Sequence, residues 1–306
     1  MMLTGRHFAM LVLAVLSCRE ANAAVPVIAP MTESQKQAAV FLDALSIPSP
    51  GEVFAALNKS SHPNWAALIT PAEAPLTTDR SQLALAVGVM AANGYIAVEA
   101  QDGQQVKNIG REMMTSAKAL GVSQNLMGRG DSLMEFAAND AWDSLADELE
   151  ATENEVKASM VEQKDHVLVT LTSAAAWLRG LDVATQVVLS SETLQGASLI
   201  RQQELARRLS IQLDTLPERM KHDGLVSRVK ATLDNVTQLL GSHPDSIEAE
   251  RRMIQQIHDS TSGLVKEILS SSETPAAAAS AQPASPPASA ASPIAAVTSS
   301  VEPTKQ

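Results

Sequence analysis

The stretch Val167–Val188, VLVTLTSAAAWLRGLDVATQVV, decides the fold. Its first residues, Val167 to Thr172, have the β-branched composition of a strand. A strand would send every second side chain to one face. Instead Val167, Leu171, Ala174, Leu178, Leu181, Thr185 and Val188 follow one another at steps of four and three. That is the spacing of one helix face, sustained for three heptads.

Working downstream, the same period returns. Leu209, Leu213, Leu216 and Met220 form one seam, followed after a phase shift by Val226, Val229, Leu233, Val236 and Leu240. Ile247, Ile254, Ile257, Thr261, Leu264 and Ile268 form the last. A repeat near 3.5 residues predicts helices crossing at shallow angles.

Upstream, Leu83–Val98 (LALAVGVMAANGYIAV) carries no charge and is kept slim by alanine and glycine. It is short for a bilayer span, so it predicts a central helix with close neighbours, opened by Asp79 with Gln82 and running through Ala100. Gly94 after Asn93 is a candidate break. A helix over Gln104–Leu120 should end at Gly121. Gly128-Arg129-Gly130 predicts an interruption, with Asp131 capping a short helix and Asn139-Asp140 restarting the chain. No proline occurs from Leu76 to Leu216, which suits long helices and few tight turns. Shorter helices precede them. Thr32-Glu33-Ser34-Gln35 is a capping box for a helix to about Leu45, Ser49-Pro50-Gly51-Glu52 starts another, and Asn64–Ile69 adds a turn or two.

The expected fold is all-α: a multi-helix antiparallel bundle with long heptad-like helices, preceded by short helices and followed by a disordered tail. The divisions are a signal peptide over 1–23, an extended arm over 24–31, the helical bundle over 32–270 (short helices 32–75, long helices 76–270), and a Pro/Ala/Ser-rich tail over 271–306. The tail has no aromatic residue and no periodicity, too little to offset its ordering entropy.

The leader has three parts. Arg6 and His7 are basic, Phe8–Leu16 is apolar but too short to span a membrane, and Ala21-Asn22-Ala23 offers the small residues of a cleavage site before Ala24. Cys18 is the single cysteine and lies in the leader, so cleavage after Ala23 leaves a chain without thiols, compatible with an oxidising compartment. Val15-Leu16-Ser17-Cys18 loosely resembles a lipobox, and lipidation of Cys18 is the alternative that would anchor the chain to a membrane. The expected location is periplasmic or secreted, with no transmembrane span in the mature chain.

Chemistry is sparse. A net charge of −11 gives no electrostatic reason to bind nucleic acid or to adsorb on anionic lipid. The residues three before His166, His222 and His258 are Gln163, Arg219 and Gln255, so the Glu-x-x-His pairs of a di-iron bundle are missing. Glu162–His166 and Glu218–His222, four apart, suit solvated helix faces. There is no Gly-x-Ser-x-Gly elbow and no phosphate loop, and neither cofactor nor enzyme activity is expected. Trp142 and Trp177 fall in helical seams and read as packing residues. Arg129-Gly130-Asp131 matches an adhesive tripeptide, but as a helix break and cap it needs no receptor. The acids from Asp140 to Glu155 read as a solvated helix face; the alternatives are an acidic patch for a basic partner, or pairing with the basic segment Arg201–Lys230.

The function expected from this is non-enzymatic: an exported bundle acting by protein–protein interaction or as an envelope scaffold. Ile247, Ile254, Ile257, Leu264 and Ile268 would form the seam for a partner helix or a second copy. The alternative is a small-molecule-binding or catalytic bundle whose pocket lies around residues 83–98, lined by Met90, Asn93 and Tyr95.

Overall fold

The computed structural model describes residues 47, 49–70, 73–122 and 126–270. Outside them lie the expected leader with Cys18, Ala21, Ala23 and Ala24, the expected arm, the helix expected from Thr32, and the expected tail. The helices are α1 Pro50–Ser61, α2 Arg80–Glu99, α3 Gly103–Ala119, α4 Leu126–Ala138, α5 Trp142–Glu162 and α6 His166–Leu189. They are followed by the short α7 Ala197–Ile200, α8 Gln203–Asp214, the short α9 Glu218–Lys221, α10 Gly224–Leu240 and α11 Ile247–Leu269, and a 3₁₀ turn spans Trp65–Leu68. Among the described residues there is no strand, and the all-α bundle is the fold.

Caps explain where these helices begin and end. Asp79 accepts from Ser81 N (2.7 Å) and Gln82 N (3.3 Å), Asp102 from Gln104 N and Gln105 N, and Asp223 from Leu225 N and Val226 N. Ser49 and Ser246 do the same for α1 and α11. At the end of α3, Gly121 takes φ +78°, and Val122 N reaches back to Ala117 O, a left-handed stop that glycine adopts without strain.

The core is a pair of helices, α2 and α6, each enclosed nearly all round. By length and composition both could cross a membrane, yet every residue of the apolar window of α2 and 94% of that of α6 is buried within the fold. They approach closely because the sequence keeps them slim. A β-carbon on Gly88 would lie 2.1 Å from Thr172 O, and Thr172 Oγ1 donates to Ala84 O at 3.0 Å. Gly94 does not split α2; a β-carbon there would meet Leu149 of α5 at 3.0 Å, so close packing is its role.

Neighbours in sequence run antiparallel, but the central pair is parallel. Arg80 meets Asp165 at the start of both helices, and Asn93 meets Arg179 further along both. Three helices, α3 to α5, lie between them in the chain, so it reverses four times, and an even number of reversals returns it in the original direction. On the other side α11 packs antiparallel along α6, and α8 and α10 pair beside it.

Three readings of the sequence fail here. Gly128 and Gly130 do not interrupt the chain, and Asp131 caps nothing: α4 runs through all of them. Glycine lowers helix propensity by only about 1 kcal/mol, and the packing of α4 between α3 and α5 outweighs it. Among the described residues the acidic and basic segments do not pair with each other, the alternative raised for them. Glu148 and Glu155 pair with Arg129, whereas Arg201, Arg228 and Lys230 pair with Glu250, Glu267 and Asp214 or Asp234. The seam of the last helix is used internally: Ile254, Ile257 and Ile268 are fully buried and Leu264 is 5% exposed, all packed into the core, and only Ile247 stands half in solvent.

Candidate functional site

Two opposite charges interrupt the apolar α6. Arg179 and Asp182 are three apart, hence on one face, and they are 4% and 2% exposed. An isolated charge so deeply buried would be prohibitive, so each must be met. Arg179 Nη1 donates to Asp182 Oδ2 at 2.5 Å, Nε to Asn93 Oδ1 at 2.8 Å, and Nη2 to Leu68 O (3.1 Å) and Thr70 Oγ1 (2.9 Å). One guanidinium thus ties α6 to α2 and to the strap after the 3₁₀ turn. Burial pulls its pKa below the ordinary arginine value, and Asp182 acts in the opposite sense.

Asp182 is only half answered. Its Oδ1 is buried and lacks an aligned hydrogen bond. His258 of α11 brings Nδ1 to 3.0 Å from it, near enough for charge attraction, though neither atom completes a hydrogen bond. That proximity raises the pKa of His258, partial burial opposing it.

Asp182 and Arg179 form the floor of a cleft of about 480 Å³ between α6, the end of α11 and the strap at Thr70. Val265 and Leu269 give it an apolar wall, and Ser262 and Thr70 place hydroxyls along it. Glu73 and Lys266 stand exposed at its mouth. Gln82 fixes that end of α11 by donating to Ile268 O and Ser270 O.

Ser262 lines the cleft one helical turn beyond His258, the residue that meets Asp182. Among the described residues no hydrogen bond joins Ser262 to His258, and Arg179 already engages Asp182. A nucleophile needs its base within reach, and Ser262 lacks that link. No cluster of three or more His, Cys, Asp or Glu is placed to hold a metal among the described residues.

The positions singled out in the sequence lie elsewhere. Met90, Asn93 and Tyr95 are buried, and α6 fills the room expected around residues 83–98. Asn93 serves Arg179, and Tyr95 Oη donates to Glu153, itself paired with buried Lys157. The Arg-Gly-Asp string lies inside α4, with Arg129 clamped by Glu148 and Glu155. Trp177 is buried as expected, its Nε1 donating to Gln202. Arg179 and Asp182 were legible in principle: from Val167 to Leu189 they are the only charged residues. Periodicity alone passes over such a pair.

No family model, curated protein or solved structure matches this chain.

Proposed function

We propose that this is an exported helical-bundle binding protein that holds a small polar molecule in the cleft between α6 and α11. The observation that carries the reading is Asp182 Oδ1, a carboxylate oxygen buried in the cleft floor without an aligned donor. Buried polar atoms are normally satisfied, and this one, which faces His258 Nδ1 at 3.0 Å without an aligned bond, has acceptor capacity left for a donor from outside. An ammonium or other donor-bearing end would meet Asp182, and Ser262 and Lys266 would take an acceptor at the other end. The volume lies in the range of about 300–1,000 Å³ common for small-molecule sites.

Binding without turnover suits the unengaged Ser262. An envelope scaffold acting through the last helix has less support, because that helix uses its apolar seam within its own core. Periplasmic or secreted action rests on the leader pattern and belongs to the same proposal.

A thermal-shift screen of amines, amino acids and small hydroxylated compounds tests it. A ligand at a hundred times its Kd adds about 2.7 kcal/mol, raising Tm by roughly 5–10 °C for a domain of this size. Ser262→Trp, which fills the cleft and leaves the Arg179–Asp182 pair in place, should remove the shift without unfolding the protein. A screen without hits, or a hit that binds the filled variant equally well, would sink the reading.

A further inference from the structure

A second concavity has a different chemistry. Between α3 and α4 lies a groove of about 320 Å³ with Val106, Met114, Leu133 and Met134 on its walls. Gly110 of α3 and Gly130 of α4 leave its floor open: a β-carbon on Gly110 would meet nothing within 4 Å, and one on Gly130 would touch only Met114, at 3.9 Å. Met134 is 42% exposed, one of few large apolar side chains left so open among the described residues.

The rim carries charge of one dominant sign. Lys107 and Arg111, four apart and so on one face of α3, have no ion-pair partner among the described residues. Glu112 also borders the groove, but its carboxylate is engaged by Ala74 N at 3.3 Å. In a chain of net charge −11, two unpaired cations beside an apolar trough are complementary to one kind of molecule.

We propose that this groove takes a single acyl chain with an anionic headgroup, the chain lying over Gly110 and Gly130 and the headgroup held by Lys107 and Arg111. Methionine suits such a lining, since its unbranched thioether adapts to a flexible chain. The acidic surface elsewhere opposes adsorption to an anionic membrane, so the ligand is one molecule rather than a bilayer. This site is independent of the α6–α11 cleft.

Calorimetric titration of the full chain with octanoate, decanoate and dodecanoate below their micelle concentrations tests it, with dodecyl phosphate to separate phosphate from carboxylate headgroups and dodecanol as the uncharged control. One molecule should bind per chain, and each two-carbon extension should tighten binding about tenfold. Lys107→Gln with Arg111→Gln should weaken dodecanoate or dodecyl phosphate at least several-fold and leave dodecanol unchanged. Gly110→Leu places a side chain in open space and should abolish binding with helicity and Tm retained. Equal binding by Gly110→Leu, or uptake of many chains per protein, would overturn the proposal. So would self-association in the ultracentrifuge that Gly110→Leu removes while no acyl compound binds, because the groove would then be an interface between copies.

Discussion

Arg179 shows how much one side chain can organise. Its partners come from α2, α6 and the strap at Leu68–Thr70, so it fixes three segments around one buried charge. Arg179→Ala would leave Asp182 buried without its pair and should cost about 3–5 kcal/mol, read by urea denaturation. Replacing both partners, as Arg179→Met with Asp182→Leu, should recover most of that loss, because no charge then remains uncompensated. If the double variant is as unstable as the single, the pair is not what the core depends on. His258 adds a pH dependence. Asp182, itself paired with Arg179, faces it from α6, and Asp259 lies beside it on α11. Its folded pKa is raised, so its stabilising contribution is complete below the unfolded value, about 6.5, and is lost as pH rises through the folded value. Tm should therefore decline above about pH 6.5 in the natural protein and decline less in His258→Gln. Identical pH profiles for the two would remove His258 from the network.

The helices themselves were largely legible in the sequence, for a physical reason. In α10 and α11 the heptad spacing and the capping residues agree, and both act within a few residues of one another, whereas α6 is marked by its spacing alone. What could not be read locally was set by distant neighbours. Gly128 and Gly130 look like a break, yet α4 is continuous because its neighbours hold it. The seam of α11 looks like a docking surface until α6 is seen to cover it. The parallel course of α2 and α6 has no local signal at all. Glycines give the sharpest test at this scale. Gly88→Ala must push α2 from the backbone of α6 and should cost at least about 1–3 kcal/mol. Gly110→Ala, facing open space in mid-helix, should gain about 0.5–1 kcal/mol. Equal effects would mean that the closeness of the central pair is not fixed by Gly88.

For the whole molecule, the described bundle is held by its own core, and its ends are separate questions. Truncation after Ser270 preserves the carbonyl that Gln82 grips and should leave Tm nearly unchanged; a clear fall would mean that the following segment contributes packed surface. The export proposal predicts the mass of residues 24–306 in the soluble envelope fraction, and a diacylglyceryl-sized increment on Cys18 would favour the anchored alternative. Why the binding site was less legible than the fold follows from its construction: Leu68, Thr70, Asn93, Arg179, Asp182 and His258 come from four separate segments, and the cleft exists only once they are assembled. The most direct test of the binding account is a crystal structure of the protein with a stabilising ligand from the thermal screen. The account predicts a donor atom of that ligand about 3 Å from Asp182 Oδ1, between α6 and α11. A ligand bound elsewhere, or a cleft in which His258 has turned to satisfy Asp182 fully, would contradict it.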